Sequence, residues 1–148
     1  MESAALKGGG HLARSYIIFQ QKGFQMKISK ITLYVSDQQQ SKHFWIDQCG
    51  FILKREQTLG PVTWIEVAPE ESSETSFVLY DKGVMLAQNP KANVSHPSVI
   101  LSTEHIDEIY THFQSQKIEV GEKMSFPYGK MFSFKDNDKN DFLIRESD

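Results

Sequence analysis

Cysteine is almost absent from this 148-residue chain: Cys49 is the only one. A single thiol excludes an intramolecular disulfide framework and any zinc or iron–sulfur site built from several cysteines, which makes the cytoplasm the expected compartment. No apolar run approaches the roughly 20 residues that span a bilayer. The uncharged stretch Ser15-Tyr-Ile-Ile-Phe19 is too short for a signal-peptide core, so no membrane partner is expected. A basic excess is missing as well: 16 Lys and Arg stand against 19 Asp and Glu, a net charge of −3. That sign argues against a nucleic-acid surface. No phosphate loop, serine nucleophile elbow or dinucleotide fingerprint occurs.

What is present is the composition of a globular protein, 39% hydrophobic and 24% charged. Residues 1–25 read apart from the rest: Gly8-Gly9-Gly10 is a flexible run, and no period of 2 or 3.6 is sustained before Met26. They are expected to lie outside the core as a leader or added segment; the competing reading docks Tyr16–Phe19 as an extra edge strand or short helix.

From residue 27 the pattern becomes regular, and it occurs twice. Lys30–Val35 alternates, with Ile31, Leu33 and Val35 on one face and Lys30, Thr32 and Tyr34 on the other, the signature of a half-buried strand. Ser36 and Asp37 offer N-cap oxygens for a helix carrying Phe44, Trp45 and Cys49, which Gly50 ends. Phe51–Glu56, Val62–Val67 and Thr75–Tyr80 then read as three strands, the first two joined by a Gly60-Pro61 turn. The second half repeats the order. Ser98–Ser102 is a strand, and Ile106, Ile109, Tyr110 and Phe113 form the apolar stripe of a helix. Gln116–Val120, Lys130–Phe134 and Asp141–Arg145 supply three more strands. The expected fold is therefore α+β, with a first βαβββ module at 27–83, a linker at 84–96 and a second module at 97–146. Two such repeats form curved half-sheets around a shared cavity.

Ile31-Thr-Leu-Tyr-Val-Ser-Asp37, Cys49-Gly50-Phe51, Trp64-Ile-Glu-Val-Ala-Pro69, Ser98–Asp107, and Tyr128-Gly-Lys130 leading to Phe134-Lys-Asp-Asn-Asp-Lys-Asn140 follow one another in an order and spacing that resembles the vicinal oxygen chelate superfamily of glyoxalases, bleomycin-resistance proteins and extradiol dioxygenases. Enzymes of that superfamily hold a divalent metal with His and Glu side chains on inward-facing strand positions. Here the resemblance places Lys30 and Ser98 at the two histidine positions and Leu143 at the final glutamate position. None is a competent ligand in its ordinary state: a cation opposes the metal's charge, a neutral hydroxyl binds weakly, and leucine has no donor. No metal and no cofactor is therefore expected.

The resemblance implies a cavity that binds a small organic molecule, commonly in a homodimer. The candidate ligand-binding residues are Lys30, Thr32, Tyr34, Trp64, Glu66, Ser98, Phe126, Tyr128 and Met131. Lys30 is read as an anchor for an anionic group, with Trp64, Tyr34 and Tyr128 as stacking surfaces. Glu66, on the strand face of Trp64, also reads as a simple partner for Lys30. The alternative is a metal-dependent lyase or dioxygenase with displaced ligands such as His96 and Glu66, and a further one makes a desolvated Lys30 a base or nucleophile. His96 otherwise reads as a turn-packing histidine, and His43, His105 and His112 fall on the expected helices. Asp136-x-Asp138-x-Asn140 opens like a calcium loop but lacks its sixth-position glycine and twelfth-position glutamate, which makes it a tight turn. Cys49, with no evident base nearby, is read as a packing residue.

Overall fold

The computed structural model describes residues 26–147. Residues 1–25, including Tyr16–Phe19, lie outside the described residues. The chain runs β1 (Lys30–Val35), α1 (Gln38–His43), β2 (Ile52–Leu59), β3 (Val62–Ala68), β4 (Ser76–Asp81), α2 (Lys82–Gln88), β5 (Ile100–Thr103), α3 (Ile106–Ser115), β6 (Met124–Phe126), β7 (Gly129–Lys135) and β8 (Asp141–Glu146). Two four-stranded mixed sheets result, ordered β1-β4-β3-β2 and β5-β8-β7-β6. In each, the first strand pairs in parallel with the fourth, β1 with β4 and β5 with β8, while the remaining pairs are antiparallel. This is the tandem βαβββ arrangement that the repeat implies.

Local chemistry sets the boundaries. Asp37, not Ser36, caps α1, its Oδ1 accepting from Gln40 N at 3.0 Å. The helix then widens into a π turn over Phe44–Gln48, with Cys49 N donating to Phe44 O, and Gly50 at φ +86° stops it. The wider turn presents two consecutive aromatics, Phe44 and Trp45, to the interior, and both are buried.

Those rings join the halves. Trp45 lies 5.0 Å from Phe77 of the first sheet and 5.0 Å from Phe142 of the second, centroid to centroid. One continuous core holds Leu33, Val35, Ile65, Val67 and Leu79 from the first module with Ile106, Phe113, Phe132, Phe134 and Ile144 from the second. Polar contacts add to the join: the N–H and hydroxyl of Ser36 both donate to the Asp138 carboxylate, and Ser41 Oγ donates to Asn137 Oδ1. The Asp136–Asn140 segment is the tight turn expected, since the Asp136 carboxylate accepts from the backbone N–H groups of Asp138 and Asn140.

One expectation fails. Gln116–Val120 forms no strand: Lys117 sits at φ 60°, Ile118 turns into the core, and only Val120 makes a bridge, to Phe134. The sheet takes β6 instead. The segment expected to link the modules, 84–96, opens within a helix, because Asp81 accepts from Val84 N at 2.8 Å and caps α2. The remainder, 89–96, carries no helix or strand. No helix among the described residues is long and apolar enough to cross a membrane.

Candidate functional site

Each sheet turns one face to the shared core; on the first sheet the opposite, open face is exposed at Lys30 and closely packed at its centre, where Ser76, Val78 and Glu66 are buried. On the first sheet, alternation puts Ile31, Leu33 and Val35 inside and Lys30, Thr32 and Tyr34 on the open face, as the sequence pattern requires. Register carries that face across the sheet: Lys30 pairs with Ser76, Thr32 with Val78, Tyr34 with Tyr80, and Val78 in turn with Glu66. The Tyr34 and Tyr80 rings meet edge to face at 6.1 Å. Five expected residues, Lys30, Thr32, Tyr34, Trp64 and Glu66, thus share one surface.

At its centre is a carboxylate with three donors. Glu66 Oε2 accepts from Lys30 Nζ at 2.8 Å and from Ser76 Oγ at 2.6 Å, while Oε1 accepts from Trp64 Nε1 at 3.1 Å. Burial by itself raises the pKa of the Glu66 carboxyl. The hydrogen bonds from Lys30, Ser76 and Trp64, together with the Lys30 charge, outweigh it and hold the value at about 2. Glu66 is the partner of Lys30. Lys30 keeps 41% of its side chain exposed, the opposite of the desolvation that a neutral amine nucleophile requires. Sequence reasoning missed Ser76, and no local pattern marks it: it reaches Lys30 only through the parallel β1–β4 pairing.

The other four expected residues lie on the second module. Met131 pairs with Arg145 and with Met124 on the open side of its sheet. Phe126 and Tyr128 flank the β6–β7 turn with their rings stacked at 5.3 Å and 6°. Ser98 is exposed just ahead of β5. No hydrogen bond or ring contact among the described residues joins these four to the first group. A cavity of about 860 Å³ does lie between the modules, lined by Ile31, Trp45, Phe77, Leu101, Ile109 and Phe134 among others, but it contains none of the nine. Its deep lining is core side chains at the module seam.

The donor set does not suit a divalent metal. Lys30 places an ammonium at the first expected ligand position and uses Glu66 as its counter-charge, Ser98 is a neutral hydroxyl, and Leu143 has no donor. His96 faces elsewhere, with Nε2 at 2.8 Å from the Asp141 carbonyl and its ring against Phe142 at 4.8 Å. Among the described residues no three His, Cys, Asp or Glu side chains converge. Cys49 is half-buried, and burial followed by the Asp136 charge pushes its thiol far above the usual range, as befits a packing residue.

Residues 27–144 match the sequence profile of the Glyoxalase/Bleomycin resistance protein/Dioxygenase superfamily. The chain belongs to that superfamily. The uncharacterized protein YetH of Bacillus subtilis (strain 168) is 34% identical over 123 residues, spanning 81% of this chain and 98% of YetH. Among solved structures, TnmS3, an antibiotic binding protein from Streptomyces sp. CB03234, superposes with a TM-score of 0.70 at 24% identity, covering 83% of this chain and 97% of TnmS3. A glyoxalase/bleomycin resistance protein from the same Streptomyces gives a TM-score of 0.65 at 25% identity, covering 80% and 99%.

Proposed function

We propose that this superfamily member binds a small, planar organic molecule on the open face of the first sheet, without a metal. The observation that carries the reading is the Lys30–Glu66–Ser76–Trp64 cluster. It fixes an indole and an ammonium side by side on a rigid strand floor, an aromatic surface with one oriented polar group, as small-molecule sites are commonly built. The binding of an antibiotic by TnmS3, whose fold is similar, supports the same class of function. The second module contributes through a second copy. Ile100, Met124 and Tyr128 are 59%, 50% and 63% exposed, apolar side chains suited to cover the first sheet of a partner and to bring Phe126, Tyr128 and Met131 to the edge of its binding face.

The test joins metal analysis to fluorescence. Purified protein, dialysed against trace Zn, Ni, Mn and Fe, is expected to hold no stoichiometric metal. Aromatic compounds that bind this face are expected to quench Trp64 saturably, and Trp64→Ala, which leaves only Trp45 in the cavity between the modules, should abolish the response. One metal per chain, or no saturable quencher, sinks the reading. A monomer by sedimentation sinks its dimeric part.

A further inference from the structure

The floor of this site holds two opposite charges, and the protein satisfies them unequally. The Glu66 carboxylate takes donors on both oxygens and its side chain is only 8% exposed. The Lys30 ammonium has three N–H donors. Among the described residues its one hydrogen bond goes to Glu66, and 41% of the side chain faces solvent. Two donors are left for a ligand.

Charge alone gives that ligand little. An anion drawn to Nζ also stands close to the carboxylate 2.8 Å away, so attraction and repulsion nearly cancel, and a cation meets the mirror situation. A neutral oxygen acceptor takes the free N–H donors with no such conflict. Trp64, tied to the same carboxylate at 3.1 Å, holds an aromatic ring beside these donors.

Resting on the reading of a planar ligand at this face, we propose that Lys30, positioned by Glu66, determines specificity and selects an uncharged planar molecule bearing a carbonyl-type oxygen over a carboxylate or an amine of the same shape. This replaces the anionic anchor that the sequence suggested for Lys30. Glu66 and Ser76 act through Lys30 and are positioning residues.

Three naphthalenes matched in shape test it, titrated by tryptophan quenching: 2-acetylnaphthalene, 2-naphthoate and 2-naphthylmethylammonium. The wild-type protein is expected to bind the ketone roughly ten-fold tighter than either ion, about the worth of one charge-assisted hydrogen bond. Glu66→Gln keeps one acceptor oxygen, enough for Ser76 or Trp64 but not both, and leaves the ammonium uncompensated; it should turn the preference toward 2-naphthoate. Lys30→Gln should erase the preference for the ketone; it lies at an exposed position and carries the test if Glu66→Gln fails to fold. Wild-type binding of naphthoate as tight as that of the ketone, with the order unchanged in Glu66→Gln, overturns the inference and leaves the planar-ligand reading standing. Binding of none of the three at millimolar concentration removes that reading, and the inference with it.

Discussion

Acid should loosen this fold through Glu66. Its carboxyl stands at about 2 in the folded protein against an ordinary 4.5, so folding is favoured by the ionised form. A drop of roughly two and a half pH units, at about 1.4 kcal/mol each, sets an upper limit near 3.5 kcal/mol. Lys30 is exposed on one side, and solvent screening of that charge brings the expected contribution to about 2 kcal/mol. Because the folded pKa is depressed, this stability is fully present above pH 4.5 and is lost as the pH falls from there toward 2. Glu66→Gln removes the titrating group and retains a hydrogen-bond acceptor. Urea unfolding of both proteins at pH 7 and pH 3 is the assay. Wild type should lose about 1–2 kcal/mol more than the variant between these two values. Equal losses would refute the assignment of the low pKa to this cluster.

Trp45 touches rings of both sheets and is 1% exposed, so Trp45→Ala should cost about 3–5 kcal/mol in urea unfolding; a loss below about 1 kcal/mol would mean that the halves are joined elsewhere. The Cys49 thiol, raised by burial and by Asp136, should react with a disulfide reagent at pH 8 at least about 100-fold more slowly in the folded protein than in denaturant. Comparable rates would show the thiol to be accessible.

The β1 face and the apolar stripe of α3 were readable because period alone decides which residues turn inward, and Ile31, Leu33, Ile106 and Phe113 obey it. Where competing interactions act over distance, period fails. Ser36 looks like a helix cap by position but spends its N–H and hydroxyl on Asp138, 102 residues away. Gln116–Val120 alternates like a strand, yet the turn at Lys117 and the burial of Ile118 take its backbone out of the ladder. At the site, Lys30 and Glu66 were legible as a pair because their charges and strand faces agree. Ser76 was not, since its closeness to Lys30 exists only after the chain has crossed over to place β4 beside β1. The open face of the first sheet could be named residue by residue, whereas the cavity between the modules is made from side chains that read simply as core.

The ring cluster around Trp45 also bears on how the protein is made. A nascent chain that has just completed β4 can bring Phe51 and Phe77 to Trp45, but Phe134 and Phe142, which complete its surroundings, have not yet been synthesised. Until residue 142 emerges from the ribosome, the largest side chain of the core stays partly wet. The first repeat is then an unfinished half, and synthesis of the second repeat is the event that closes both.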